Sequence, residues 1–153
     1  MRKINLQLNN IKIPILVGSN ILKTINPENY VKKNNVVIIT NSTIAKLYLK
    51  QTKRMFKDYN VDSLILRDGE KYKNIKTLQQ IHDYLIKNKY DRSLTIVALG
   101  GGVIGDMVAF AADTFMRGVQ LIHIPTTLLA QVDSSIGGTV SYTHLTLPTM
   151  ELV

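Results

Sequence analysis

Apolar and polar residues alternate through residues 3–8, and an apolar-rich stretch, 11–17, follows Asn9-Asn10. Two β-prone stretches on either side of a two-residue Asn turn predict a β-hairpin. Gly18-Ser19-Asn20 closes the second strand, and a short helix over 21–25 follows. From Val36 the pattern changes. Val36-Val37-Ile38-Ile39-Thr40 is apolar at every position but the last, as in a strand covered on both faces. Asn41-Ser42-Thr43 then caps a helix over 44–59 with apolar residues at helical spacing. Ser63-Leu64-Ile65-Leu66 is a further strand, and residues 68–73 form a polar turn. The spacing in 75–87 predicts a helix with Leu78, Ile81, Leu85 and Ile86 inward. A strand over 94–99, a helix over 103–115, a strand over 120–124 and a short helix over 128–132 complete the series.

After the hairpin the order is β-α repeated four times. Short turns between such units imply a mostly parallel, Rossmann-like sheet with helices on both faces. Sheets of this kind bind ligands beyond the carboxyl ends of their strands. Those ends carry Thr40-Asn41, residues 67–73, residues 100–106 and residues 125–127. Four polar or glycine-rich turns therefore converge on one edge. The chemistry concentrates in Gly100-Gly101-Gly102-Val103-Ile104-Gly105-Asp106, between a strand and a helix. Gly100, Gly102 and Gly105 have the G-x-G-x-x-G spacing of dinucleotide sites, where backbone N–H groups at a helix start meet a phosphate. The pattern departs from the usual fingerprint in two ways. The glycine turn comes late in the series, and no carboxylate follows about twenty residues on. Asp68 and Glu70, upstream, are the available ribose-binding carboxylates.

Composition narrows the class. At 153 residues and 45% hydrophobic content, the chain is one domain with a real core. It has no cysteine, which excludes disulfide and thiolate chemistry. No apolar run is long enough to span a bilayer, and the start has no signal-peptide core; both favour the cytoplasm over a membrane. The net charge is +8, yet the lysines and arginines are scattered without interleaved aromatic platforms. A solvated surface, with some attraction for a phosphate-bearing substrate, fits better than a nucleic-acid partner.

Several residues have two readings. Asp106, at the helix start, can complement the helix dipole, fix a loop or bind a ribose hydroxyl. Thr126 and Thr127 are a helix cap or ligand contacts, and Asp133 is a solvated cap or part of a second polar loop. Arg117 is an anion clamp or a surface arginine. His82, His123 and His144 share no metal-ligand spacing, and His123 reads as a packed strand histidine, so no metal site is assigned.

The stretches 98–106, 115–119 and 124–138 closely resemble the 3-dehydroquinate synthase family, and Asp68-Gly69-Glu70-Lys71-Tyr72-Lys73 resembles its other nucleotide-binding turn. The run from Pro125 to Gly138 is the most specific, and the resemblance covers residues 1–138. It implies an NAD-dependent lyase of the shikimate pathway, leading to chorismate and aromatic amino acids. Such an enzyme converts 3-deoxy-arabino-heptulosonate 7-phosphate into 3-dehydroquinate and phosphate. An alcohol is oxidised, phosphate is eliminated, the ketone is reduced and the ring recloses, with zinc or cobalt as Lewis acid. The resemblance implies cofactor contacts at Asp68, Gly69, Glu70, Lys71, Tyr72 and Lys73, at Gly101, Gly102, Val103, Ile104, Gly105 and Asp106, and at Thr126 and Thr127. It implies a residue shared by cofactor and substrate at Asp133, a substrate-phosphate arginine at Arg117 donated across a homodimer, and Asn41 on the adenine side. Another sugar-phosphate cyclase, such as 2-deoxy-scyllo-inosose synthase, is the nearest alternative. A standalone nucleotide-binding module is the alternative from another class.

The family continues Gly-Gly-Lys-Thr-Ala-Val-Asn, whereas position 139 is Thr. The residues from Thr139 resemble a translated sequencing adapter joined after the first base of a lysine codon. Residues 139–153 are therefore read as a non-native tail after an NAD-binding domain at 1–138. On this reading the chain is an N-terminal fragment. It lacks the family's second lysine, its Glu-His-His metal ligands and its helical C-terminal domain, and it should show no synthase activity.

Overall fold

The computed structural model of the chain describes residues 1–8, 11–31 and 34–136. β1 (Arg2–Leu8) and β2 (Ile11–Val17) form the expected antiparallel hairpin, in register from Arg2 opposite Val17 to Leu8 opposite Ile11. Its Asn9-Asn10 turn lies outside the described residues. α1 (Ile21–Thr24) and a single 3-10 turn at Pro27–Asn29 lead into the main sheet.

That sheet contains β3 (Asn35–Asn41), β4 (Asn60–Leu66), β5 (Thr95–Gly100) and β6 (Gln120–Pro125), in the order β4-β3-β5-β6. Every pairing is parallel. β3 and β5 are interior and apolar on both faces. Val37, Ile39, Ile96 and Ala98 point into one core, with α4 (Ile75–Lys87) and α5 (Gly102–Thr114). Val36, Ile38, Val97 and Leu99 point into the other, with Phe56 and the helical segment after β3. The alternation is the two-residue strand period read out as two hydrophobic layers. It also explains why these strands read as continuous apolar runs. β3 is extended first on one side by β4 and then on the other by β5, so the order reverses between β3 and β5. All four carboxyl ends share one edge, and the crevice at that reversal is where doubly wound sheets take ligands.

Three local expectations change. The helix expected over 44–59 starts at Ser42, runs as α2 (Ser42–Ile44), a π-wound stretch (Ala45–Leu49) and α3 (Lys50–Met55), and stops before Phe56. The apolar spacing continues beyond it because Phe56 is buried and packs edge-on against Tyr59, with ring centroids 6.0 Å apart; this is core packing, not helix. The strand expected from Ser63 begins at Asn60, where the ladder to β3 starts opposite Asn35. Ile86 is 62% exposed rather than inward, since Leu78, Ile81 and Leu85 complete the buried stripe and the next residue turns about 100° away.

Candidate functional site

The site is assembled from the turns beyond β3, β4, β5 and β6. At the end of β3, Asn41 caps the following helix: its Oδ1 accepts from the Ile44 N–H at 2.8 Å. Its Nδ2 donates to Asp68 Oδ1 at 2.8 Å, and Thr43 Oγ1 donates to Asp68 Oδ2 at 2.6 Å. The loop after β4 therefore bonds directly to the start of the helix after β3. Gly69 sits at φ +121°, a backbone conformation that favours glycine. The polar turn expected at 68–73 contains a 3-10 turn, Glu70–Tyr72, closed by the Lys73 N–H on Glu70 O at 2.9 Å. Arg67 and Lys71 flank the Tyr72 ring, at 5.8 and 5.2 Å from its centroid. The Arg67 guanidinium beside the Tyr72 phenol holds its pKa below the ordinary tyrosine value.

Lys73 reaches back over the sheet edge. Its Nζ lies 2.6 Å from Asp106 Oδ2, with both side chains about nine-tenths buried. This contact joins the turn after β4 to the glycine turn after β5. It also corrects the position of Asp106. α5 begins at Gly102, which leaves Asp106 in the second turn, beyond effective reach of the helix dipole. Asp106 is an ion-pair partner, and its Oδ1 is buried without a hydrogen bond.

The glycine turn itself contains no positive φ; what it needs is space. A Cβ on Gly100 would stand 2.7 Å from Ile104 Cβ, so the strand end can lie on the helix only without a side chain. Gly100→Ala should lower stability by about 1–3 kcal/mol, read as a lower urea midpoint at unchanged slope. A Cβ on Gly101 would touch Thr127, whereas one on Gly102 meets, among the described residues, only Ser134 Oγ, at 3.7 Å. The backbone at the start of α5 is thus open toward the crevice.

After β6 the Thr126 N–H bonds Gly100 O at 3.0 Å, and Thr127 Oγ1 accepts from the Ala130 N–H at 3.2 Å, so the cap reading of Thr127 holds. Thr126 Oγ1 is buried and unpartnered. The helix over 128–134 lies against α5, with Ser134 facing Gly102 and Gly105 and Asp133 exposed beside it. His123 in β6 is half-buried, with its ring against Gly105. Burial pushes its pKa below 6.5, and the nearby Asp106 charge opposes this. A depressed histidine leaves stability intact above the unfolded value and lowers it as pH falls from there through the folded value. The melting temperature should therefore drop between pH 7.5 and 5.5, and the drop should shrink in His123→Gln.

Residues 68–73, 101–106, 126 and 127 thus meet along one edge, with Asp133 beside it. Arg117 does not join them. It lies beyond the far end of α5, a helix about 20 Å long, in an exposed turn where Met116, Arg117 and Gly118 all have positive φ. Thr43, Ser134 and Thr40 also stand at this edge, although in the sequence they read only as part of a helix cap, a polar loop and a strand end. Thr40 Oγ1 is buried and unpartnered at the end of β3. Their signal was only their place next to a strand end. No group of three or more His, Asp or Glu side chains among the described residues could hold a metal ion. Nor, among the described residues, is any helix long and apolar enough to cross a membrane.

A four-stranded parallel sheet whose carboxyl edge carries a glycine turn, a buried Lys-Asp pair and unpartnered buried oxygens defines a doubly wound α/β domain with its ligand crevice at the strand-order reversal. The comparisons then give the family. The family model of the 3-dehydroquinate synthase N-terminal region matches residues 63–147. The chain is 48% identical over 147 residues to the 3-dehydroquinate synthase of Hydrogenovibrio crunogenus and 45% identical over 148 residues to that of Ruthia magnifica. These alignments cover 94% and 95% of the chain. Among solved structures, a 2-deoxy-scyllo-inosose synthase complexed with carbaglucose-6-phosphate, NAD+ and Co2+ superposes with a TM-score of 0.80 at 28% identity, over 87% of this chain and 38% of that one. The chain belongs to the 3-dehydroquinate synthase family, in its N-terminal region, and spans about 40% of the length of the curated relatives it matches.

Proposed function

We propose that this chain carries the dinucleotide-binding part of an NAD-dependent sugar-phosphate cyclase, a phosphate-eliminating lyase. The whole enzyme's reaction is the conversion of 3-deoxy-arabino-heptulosonate 7-phosphate to 3-dehydroquinate and phosphate, in the shikimate pathway and the cytoplasm. The observation that supports this reading is the Lys73–Asp106 contact, which brings the turns after β4 and β5 together at the carboxyl edge of the sheet. The unpartnered oxygens of Asp106 and Thr126 beside it are consistent with a polar ligand. NAD fits these residues. Asp68, Glu70 and Lys73 hold the adenosine ribose, while Gly69, Lys71 and Tyr72 shape that turn. Backbone N–H groups at Gly101, Gly102 and Val103, at the start of α5, receive the pyrophosphate. Ile104 and Gly105 pack the helix against the strand end and His123, and Asp106 fixes the depth of the turn through Lys73. Thr126 and Thr127 face the nicotinamide half.

Held by these residues, NAD would supply a hydride acceptor for oxidation of a substrate alcohol, the chemistry that would acidify the neighbouring C–H ahead of phosphate loss. Asp133 touches both cofactor and substrate. Arg117, remote within one chain, serves the substrate phosphate across a homodimer. The described residues provide no ligand set for zinc or cobalt. We read residues 1–138 as the dinucleotide-binding domain and 139–153 as a non-native tail. The structural likeness to 2-deoxy-scyllo-inosose synthase leaves that substrate class as the second reading. The higher identity to 3-dehydroquinate synthases, 48% against 28%, favours the first.

The test is a titration of the isotope-labelled chain with NAD, followed by amide chemical shifts. Perturbations should cluster at residues 68–73, 100–106 and 126–127. Saturating NAD with no shifts there, or with shifts centred elsewhere, overturns the reading.

A further inference from the structure

We propose that Thr43 is a positioning residue which, together with Asn41, locks the Asp68 carboxylate as the reader of a ribose diol and so sets the discrimination against 2′-phosphorylated dinucleotides. The inference rests on the dinucleotide reading above and adds a specificity device to it.

Both oxygens of Asp68 are held by donors from the start of the helix after β3: Asn41 Nδ2 at 2.8 Å and Thr43 Oγ1 at 2.6 Å. Asn41 is itself fixed, being 7% exposed and bound at its other amide atom by the Ile44 N–H. Both donors are neutral, so the carboxylate is immobilised without an ion pair neutralising it. A carboxylate oxygen accepts about two hydrogen bonds, which leaves roughly one free site on each oxygen. Two free acceptor sites on adjacent oxygens suit two neighbouring hydroxyls, each donating once. A phosphate monoester in place of one hydroxyl brings about −1.5 to −2 of charge and further acceptors, and is repelled. Asp68 is exposed, as a reader of an incoming ligand must be.

The cations that a 2′-phosphate would need are close at hand. Arg67 precedes Asp68 in the chain, and Lys71 lies in the same turn, both drawn against Tyr72. The site therefore holds a carboxylate that rejects a 2′-phosphate and cations that would accept one. The orientation of Asp68 decides between them. Without the Thr43 hydroxyl, Oδ2 is released and the carboxylate is free to turn toward Arg67 and Lys71. Its hold on the diol then weakens, as does its repulsion of a phosphate.

The experiment measures dissociation constants of the chain for NAD and NADP by calorimetry, in the wild type, Thr43→Val and Thr43→Ser. Thr43 is exposed, so Thr43→Val should keep the wild-type melting temperature. Wild type should prefer NAD. Thr43→Val should weaken NAD about tenfold and move the NADP-to-NAD ratio about tenfold toward unity, and Thr43→Ser, which restores the hydroxyl, should return both to wild type. An unchanged ratio in Thr43→Val, or equal losses for both dinucleotides in Val and Ser variants, overturns the proposal while leaving the dinucleotide reading intact. Failure of the wild type to bind NAD at all overturns both.

Discussion

Lys73→Met should destabilise this chain by about 3–5 kcal/mol, on the order of 10 °C in melting temperature for a domain of this size. Asp106 is 7% exposed, and Lys73 is the partner of its Oδ2, while Oδ1 has none. Removing the ammonium leaves a carboxylate inside the protein with neither solvent nor cation, and that penalty dominates the change. The double variant Lys73→Met/Asp106→Leu should recover most of the loss, because two apolar side chains of similar volume replace a pair whose attraction barely offsets its own desolvation. A large single-variant loss, with a double variant far more stable than the sum of the two single losses implies, is the expected signature. If Lys73→Met melted within about 2 °C of wild type, the pair would be behaving as a solvated surface contact, and the link between the two turns would carry little weight. The double variant should also separate stability from binding. It should fold, and it should bind NAD far more weakly, since Lys73 tethers the turn after β4 to the crevice.

How much of this was visible in the sequence follows from the range of each interaction. The interior strands were legible because burial on both faces leaves no polar position in Val36–Ile39 or Ile96–Leu99, and their parallel pairing followed from the helices between them. The shared edge followed from that topology. The Asn41 cap was legible because capping is local, four residues of chain in all. The contacts that build the site are not local. Lys73 and Asp106 are 33 residues apart, and Thr43 and Asp68 are 25 apart. No periodicity encodes such pairings; only the strand order brings them together. The placement of Asp106 at the start of its helix failed for a related reason. Gly102 and Val103 are both compatible with a helix N-terminus, and composition alone cannot fix which residue opens the first turn. Phe56 and Tyr59 misled because an apolar residue every three or four positions satisfies a helix and a buried turn alike.

Gly102→Asp should abolish detectable NAD binding while leaving the fold at least as stable. Gly102 is the first residue of α5, and among the described residues the space where its Cβ would stand has only Ser134 Oγ nearby, at 3.7 Å, an ordinary contact. An aspartate in the first turn interacts favourably with the helix dipole, by about 0.3–1 kcal/mol, and avoids the entropy loss of a helical glycine. The same carboxylate occupies the place where the helix start would receive the pyrophosphate. Two unit charges about 5 Å apart repel by roughly 3 kcal/mol at an effective dielectric constant near 20, which is on the order of a hundredfold in affinity. Gly102→Ala separates charge from bulk: it adds the Cβ alone and should weaken binding by much less. Calorimetric titration of the three proteins, with melting curves alongside, gives the comparison. Were Gly102→Asp to bind NAD as wild type does, the anion would not sit at the start of α5, and the dinucleotide would have to lie elsewhere along the edge. Were it instead to unfold, the packing of that turn against Ser134 would be tighter than 3.7 Å implies. Folded and unable to bind is the outcome that places the phosphates against the backbone of this turn.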